Sequence, residues 1–104
     1  METKKGLTRN SIVSMLRQHE DILKKYNVKR IGVFGSYAKG TQTSKSDVDF
    51  LVEFEQPSFD DYIALAKDLE KLLGRKIDLL TPEGIKSIRV KEVAESISRS
   101  VQYV

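Results

Sequence analysis

Residues 47–54 and 76–80 are two short apolar runs of strand length, separated by one amphipathic stretch long enough for a helix. No other feature limits the fold of this chain so strongly. Strands joined through a helix pair in parallel when they share a sheet, because a parallel connection needs a crossover of a dozen or more residues. The intervening stretch supplies that crossover. Phe59, Tyr62, Ile63, Ala66, Leu69 and Leu73 recur at helical spacing, Ser58 with Asp61 three residues on resembles a capping box, and Gly74 ends the pattern. A β-α-β unit over residues 47–80 is therefore the predicted centre of the fold.

The flanking segments extend this unit. Val28 to Phe34 reads as a strand rich in β-branched residues and stopped by Gly35. The connection over residues 35–46 is short, with a helical turn near residues 36–39, so this strand enters antiparallel to the next. Ahead of it, Ile12, Met15, Leu16, His19, Ile22, Leu23 and Tyr26 predict one helix over about residues 10–26, capped by Thr8 or Asn10 and ended at Asn27. Beyond residue 80, Thr81-Pro82 is a helix-start pair. Val90, Val93, Ala94 and Ile97 suggest a last helix, and residues 101–104 a short edge strand. The expected architecture is α/β (α+β): a small mixed sheet flanked by helices. The 104 residues make a single domain, 1–104, around one core.

Asp47 and Asp49, at i and i+2 on the second strand, share a face with Leu51 and Glu53. The rest of that strand is strongly apolar, so two acids at its head carry a desolvation and repulsion cost unless a cation compensates. Asp78 repeats the anomaly as a lone acid in Ile77-Asp78-Leu79-Leu80. If the crossover is parallel, Asp78 lies at the same end as Asp47 and Asp49, and the antiparallel first strand delivers Gly35 there too. Three carboxylates and a glycine turn converging on one locus suit two-metal phosphoryl or nucleotidyl transfer. Gly35 permits a sharp turn and close approach to a phosphate, and Ser36 offers its hydroxyl and neighbouring N–H groups to the same anion.

Composition narrows the setting. There is no cysteine, which excludes disulfides and thiolate metal sites and fits a reducing compartment. The 18 basic and 15 acidic residues, net +3, are mixed along the whole chain without a uniform basic stripe, a balance that permits nucleic-acid contact but does not argue for it, and direct nucleic-acid binding is not expected. No apolar run has the length of a signal-peptide core or a membrane span, so the expected location is the cytoplasm. His19 is expected to be structural, Tyr37 and Tyr62 to pack in the core or a groove wall, and the lysine pairs to be solvated.

Gly35-Ser36, ten intervening residues, then Asp47-x-Asp49 resembles the hallmark of the DNA polymerase β-like nucleotidyltransferase superfamily. The fuller string Gly-Ser-Tyr-Ala-Lys-Gly, with Ser-Asp-Val-Asp and the later Lys-Ile-Asp-Leu-Leu, is similar to its minimal nucleotidyltransferase branch, which includes MntA-type antitoxins paired with HEPN-domain toxins. The resemblance covers residues 28–81 well. It implies a polymerase-β-like fold in which Asp47 and Asp49 hold two Mg2+ ions, Asp78 completes one metal site and helps activate the attacking hydroxyl, and Gly35 and Ser36 grip the phosphates of ATP. Lys39 stands where arginine is common, keeping the charge but losing bidentate geometry. Glu53, farther along the strand, is not required by the pattern.

The chain leaves no length for an acceptor-binding domain, so the acceptor is expected on another protein. The resemblance points to AMP transfer onto a tyrosine hydroxyl of a HEPN toxin. The competing expectations are an antitoxin that acts by binding alone, and a transferase acting on a small molecule or an RNA end.

Overall fold

The computed structural model describes residues 7–43, 45–56, 58–86, 95, 97, 99 and 101–104. Helix α1 (Arg9–Gln18) opens on Thr8, whose hydroxyl accepts from the Ser11 N–H while the Ser11 hydroxyl accepts from the Thr8 N–H at 2.9 Å, a capping box with serine in the usual glutamate position. The single helix expected over residues 10–26 is in fact two. His19 leaves helical geometry at φ −121°, ψ 40°, and α2 (Glu20–Lys25) starts afresh. The His19 Nδ1 lies 2.9 Å from the Met15 carbonyl oxygen, so the ring has a structural partner, as expected.

Asn27 turns the chain with a left-handed φ of 59° into β1 (Val28–Phe34). Gly35 leads into the one-turn helix α3 (Ser36–Lys39), and a polar turn delivers β2 (Val48–Phe54). In that turn the Ser46 hydroxyl accepts from the Thr43 N–H at 2.9 Å. The crossover is α4 (Phe59–Leu73), capped by the Ser58 hydroxyl and closed at Gly74, and it returns to β3 (Ile77–Leu80). Then come α5 (Pro82–Lys86) and the edge strand β4 (Gln102–Tyr103). Of the last helix expected from Val90, Val93, Ala94 and Ile97, Val90, Val93 and Ala94 lie outside the described residues, whereas Ile97 is described and helical, as are residues 95 and 99.

The sheet order is β3-β2-β1-β4. β2 and β3 are parallel and β1 is antiparallel to β2, as the crossover and the short 35–46 connection predicted; β4 pairs antiparallel with the free side of β1. Ile31 and Val33 of β1, Val48, Phe50 and Val52 of β2 and Leu79 of β3 form one buried face. They pack with Ile12 and Leu16 of α1, Tyr37 of α3 and Leu65, Leu69 and Leu73 of α4. Burying these side chains is the main favourable term in folding. Two hydroxyls tie α4 to its surroundings: Tyr62 donates to the Leu79 carbonyl and Tyr26 to Asp68, each at 2.6 Å. Strand alternation sends Asp49, Leu51 and Glu53 to the opposite face.

Candidate active site

Asp49 is the second residue of β2, and its register partner on the parallel strand β3 is Asp78. The two carboxylates thus sit side by side on the face turned away from the core. Asp47 lies just before β2, not within it, and is exposed, whereas Asp49 is half-buried. On the other flank, Phe34 at the end of β1 pairs with Asp49, so the next residue, Gly35, arrives directly beside that carboxylate.

Gly35 adopts φ 74°, ψ −146°, a conformation open essentially only to glycine. It also has no room for a side chain, because an added Cβ would fall on Asp49 Oδ2. Ser36 is the first residue of α3, where its own N–H and that of Tyr37 have no partner within the helix. The far end of α3 is held by the Thr41 N–H donating to the Ser36 carbonyl at 2.9 Å and by Arg9 Nη1 donating to the Ala38 carbonyl at 3.3 Å. Tyr37, 1% exposed, anchors α3 into the core.

The electrostatics follow from this packing. Burial, then the neighbouring charges of Asp78 and Asp47, push the Asp49 carboxyl up from 3.8 to about 6. Among the described residues no donor or cation compensates Asp49. Glu53, on the same face of the same strand, is treated differently: Arg30 Nε lies 3.1 Å away and Lys29 Nζ 3.8 Å away. Among the described residues no three His, Cys, Asp or Glu side chains close into a ready-made coordination group. The chemistry of the donors nevertheless fits a hard divalent cation such as Mg2+: carboxylate oxygens alone, repelling one another, beside a glycine that leaves space.

Of the residues expected from sequence, Gly35, Asp49 and Asp78 are brought together on adjacent strands, Ser36 follows at the head of α3, and Asp47 stands at the entrance. Sequence reasoning missed Arg9, which braces α3 from α1. Its signal is weak, since nothing local connects residues 9 and 38. Gly32 was also missed. An added Cβ there would meet Val101 Cγ1 at 2.6 Å, so this glycine lets β4 close the sheet beside β1. A glycine inside an apolar strand is the cue for such an approach.

A small α/β domain with acidic side chains at the heads of two parallel strands, flanked by a glycine turn into a short helix, has the form of a nucleotidyl-transfer domain. The nucleotidyltransferase domain family model matches residues 16–104, and the chain belongs to that family. Protein adenylyltransferase MntA of Thermococcus cleftensis is 41% identical over 100 residues, covering 94% of this chain and 97% of that protein. MJ1379 of Methanocaldococcus jannaschii, by name a candidate protein adenylyltransferase, is 48% identical over 101 residues, covering 93% and 98%. Among solved structures, a candidate minimal nucleotidyltransferase superposes with a TM-score of 0.72 at 25% identity, over 92% of this chain and 95% of its own. A toxin–antitoxin complex with AMP-PNP shares the fold at TM-score 0.61 and 24% identity, over 93% of this chain and 72% of the matched one. The chain is a nucleotidyltransferase of the minimal, MntA-type branch.

Proposed function

We propose that this chain transfers AMP from ATP to a hydroxyl of a partner protein, a tyrosine of a HEPN-type toxin, and so acts as its antitoxin. The observation that carries this reading is the uncompensated pairing of Asp49 with Asp78 beside Gly35. A half-buried carboxylate beside like charges, with no cation, is costly, and a bound divalent ion relieves that cost.

Asp47, Asp49 and Asp78 would hold Mg2+, two ions by family analogy, whose chemistry is to neutralise the triphosphate and the developing charge. Gly35 brings backbone close to the phosphates, and Ser36 offers its hydroxyl and N–H to the same oxygens. Asp78, exposed on the edge strand β3, would help to activate the acceptor hydroxyl. The hydroxyl gives up its proton towards the Asp78 carboxylate as its oxygen bonds to the α-phosphorus, the bond from that phosphorus to the β-phosphate oxygen breaks, and pyrophosphate leaves. The name of the Thermococcus relative supports AMP transfer to protein, and the toxin–antitoxin complex that shares the fold supports the choice of partner.

The test is co-expression with the product of the neighbouring gene, followed by intact-mass analysis. A gain of one or more AMP units on the partner, lost in the Asp47→Ala/Asp49→Ala double variant, is expected. An unmodified partner in both cases, with toxicity still suppressed, would replace transfer by binding alone.

A further inference from the structure

Two adjoining cavities lie on the α1 side of the site. The larger, about 540 Å³, runs along α1 and reaches β4, with Arg9, Arg17, Asn10, Ser14, Gln18 and Gln102 among its walls. The smaller, about 270 Å³, shares Arg9 and Asn10 and is completed by α3, including Lys39, and by Gln42. Arg9 therefore sits at the junction. Arg9, Arg17 and Lys39 are exposed, none has a carboxylate partner among the described residues, and no carboxylate is among the described residues lining either cavity. Since acidic residues are nearly as numerous as basic ones in the chain, this one-sign groove is a local feature. The buried Gln42 Oε1 also has no partner.

We infer that this groove is the docking site for an acidic segment of the protein substrate. The inference rests on the proposed function and names the chemistry by which the acceptor is held. Charge complementarity sets the sign of the ligand. The wall chemistry sets its class: Asn10, Ser14, Gln18, Gln42 and Gln102 carry amide and hydroxyl groups suited to a peptide backbone. A nucleic acid strand calls for aromatic stacking platforms, and the one aromatic wall residue among the described residues, Tyr37, is buried. The groove also leads to the right place. Lys39 on its wall lies one helical turn from Ser36, about 5 Å along the axis. A segment seated there lies against α3, whose first residue, Ser36, follows Gly35 at the acidic locus.

The test uses the full chain, a fluorescein-labelled decaglutamate peptide and a labelled oligouridylate RNA, with anisotropy read at low and at physiological salt. The expected result is peptide binding that weakens at least tenfold in Arg9→Glu/Arg17→Glu and severalfold in Arg17→Glu alone, a substitution that breaks no hydrogen bond. The thermal shift caused by Mg2+ with ATP stays unchanged in Arg17→Glu, which leaves the Arg9 brace on α3 intact and so separates failure of the groove from failure of the nucleotide site. Lys24→Glu/Lys25→Glu moves net charge by the same amount and leaves peptide binding within twofold. The inference is overturned if that control weakens binding as much as the groove variants do, if the groove variants bind the peptide like the wild type, if no peptide binding occurs, or if the oligouridylate binds more tightly than the peptide.

Discussion

At Gly35 two independent demands fall on one residue. Its φ of 74° lies where L side chains are strained, and its missing Cβ is the space that Asp49 Oδ2 occupies. Gly35→Ala must therefore distort the backbone or displace the carboxylate. We expect a loss of about 1–3 kcal/mol in urea unfolding and loss of AMP transfer; a stable, active variant would show that the turn is not needed. Asp49 makes a second demand. Its carboxyl is raised to about 6 from 3.8, so between those pH values the unfolded chain has released a proton that the folded chain retains. Stability contributed by this group is then lost as pH rises through that window and is level above it. Because Asp49 is only half-buried, solvent screening cuts the effect to on the order of 1 kcal/mol. Asp49→Asn should remove this slope, making the metal-free protein more stable at pH 7 with little difference near pH 4. Parallel stability curves for the two proteins would refute it.

At the scale of elements, the β-α-β unit was legible because three local signals agreed: strand-length apolar runs, a helical stripe between Ser58 and Gly74, and the crossover rule. That unit alone places Asp78 beside Asp49, so the site inherits its geometry from α4. Leu69, fully buried, is central to that helix's contact with the sheet. Leu69→Ala should cost about 2–5 kcal/mol, a large share of the 5–15 kcal/mol typical of such a domain, and chemical denaturation will measure it. The break at His19 was not legible. The apolar period of residues 12–26 runs through it, and neither proline nor glycine marks the place. The contact from the imidazole to Met15 and the tertiary bond from Tyr26 to Asp68 set the second helix on its own course. Glu53 was legible only in part. Its face follows from strand alternation, but its pairing with Arg30 depends on the β1–β2 register, which no local signal specifies.

For the whole molecule, the acidic locus sets activity against stability. A chain of 104 residues can bury only a modest core, and it places three carboxylates where only burial and mutual repulsion act on Asp49. A cation that binds the folded state alone stabilises it by mass action, by about 1.4 kcal/mol at tenfold excess over its dissociation constant. In a domain this small, that energy is worth several degrees of Tm. Millimolar Mg2+ should therefore raise the wild-type Tm, and EDTA should reverse the gain. Asp47→Ala/Asp49→Ala should behave oppositely on both counts, with a higher Tm than the wild type in metal-free buffer and no response to Mg2+. A double variant that is less stable without metal would show that these carboxylates support the fold and do not strain it. One that still gains stability from Mg2+ would place the cation elsewhere. The paired result expected here ties the same two side chains to both effects, which neither measurement does alone.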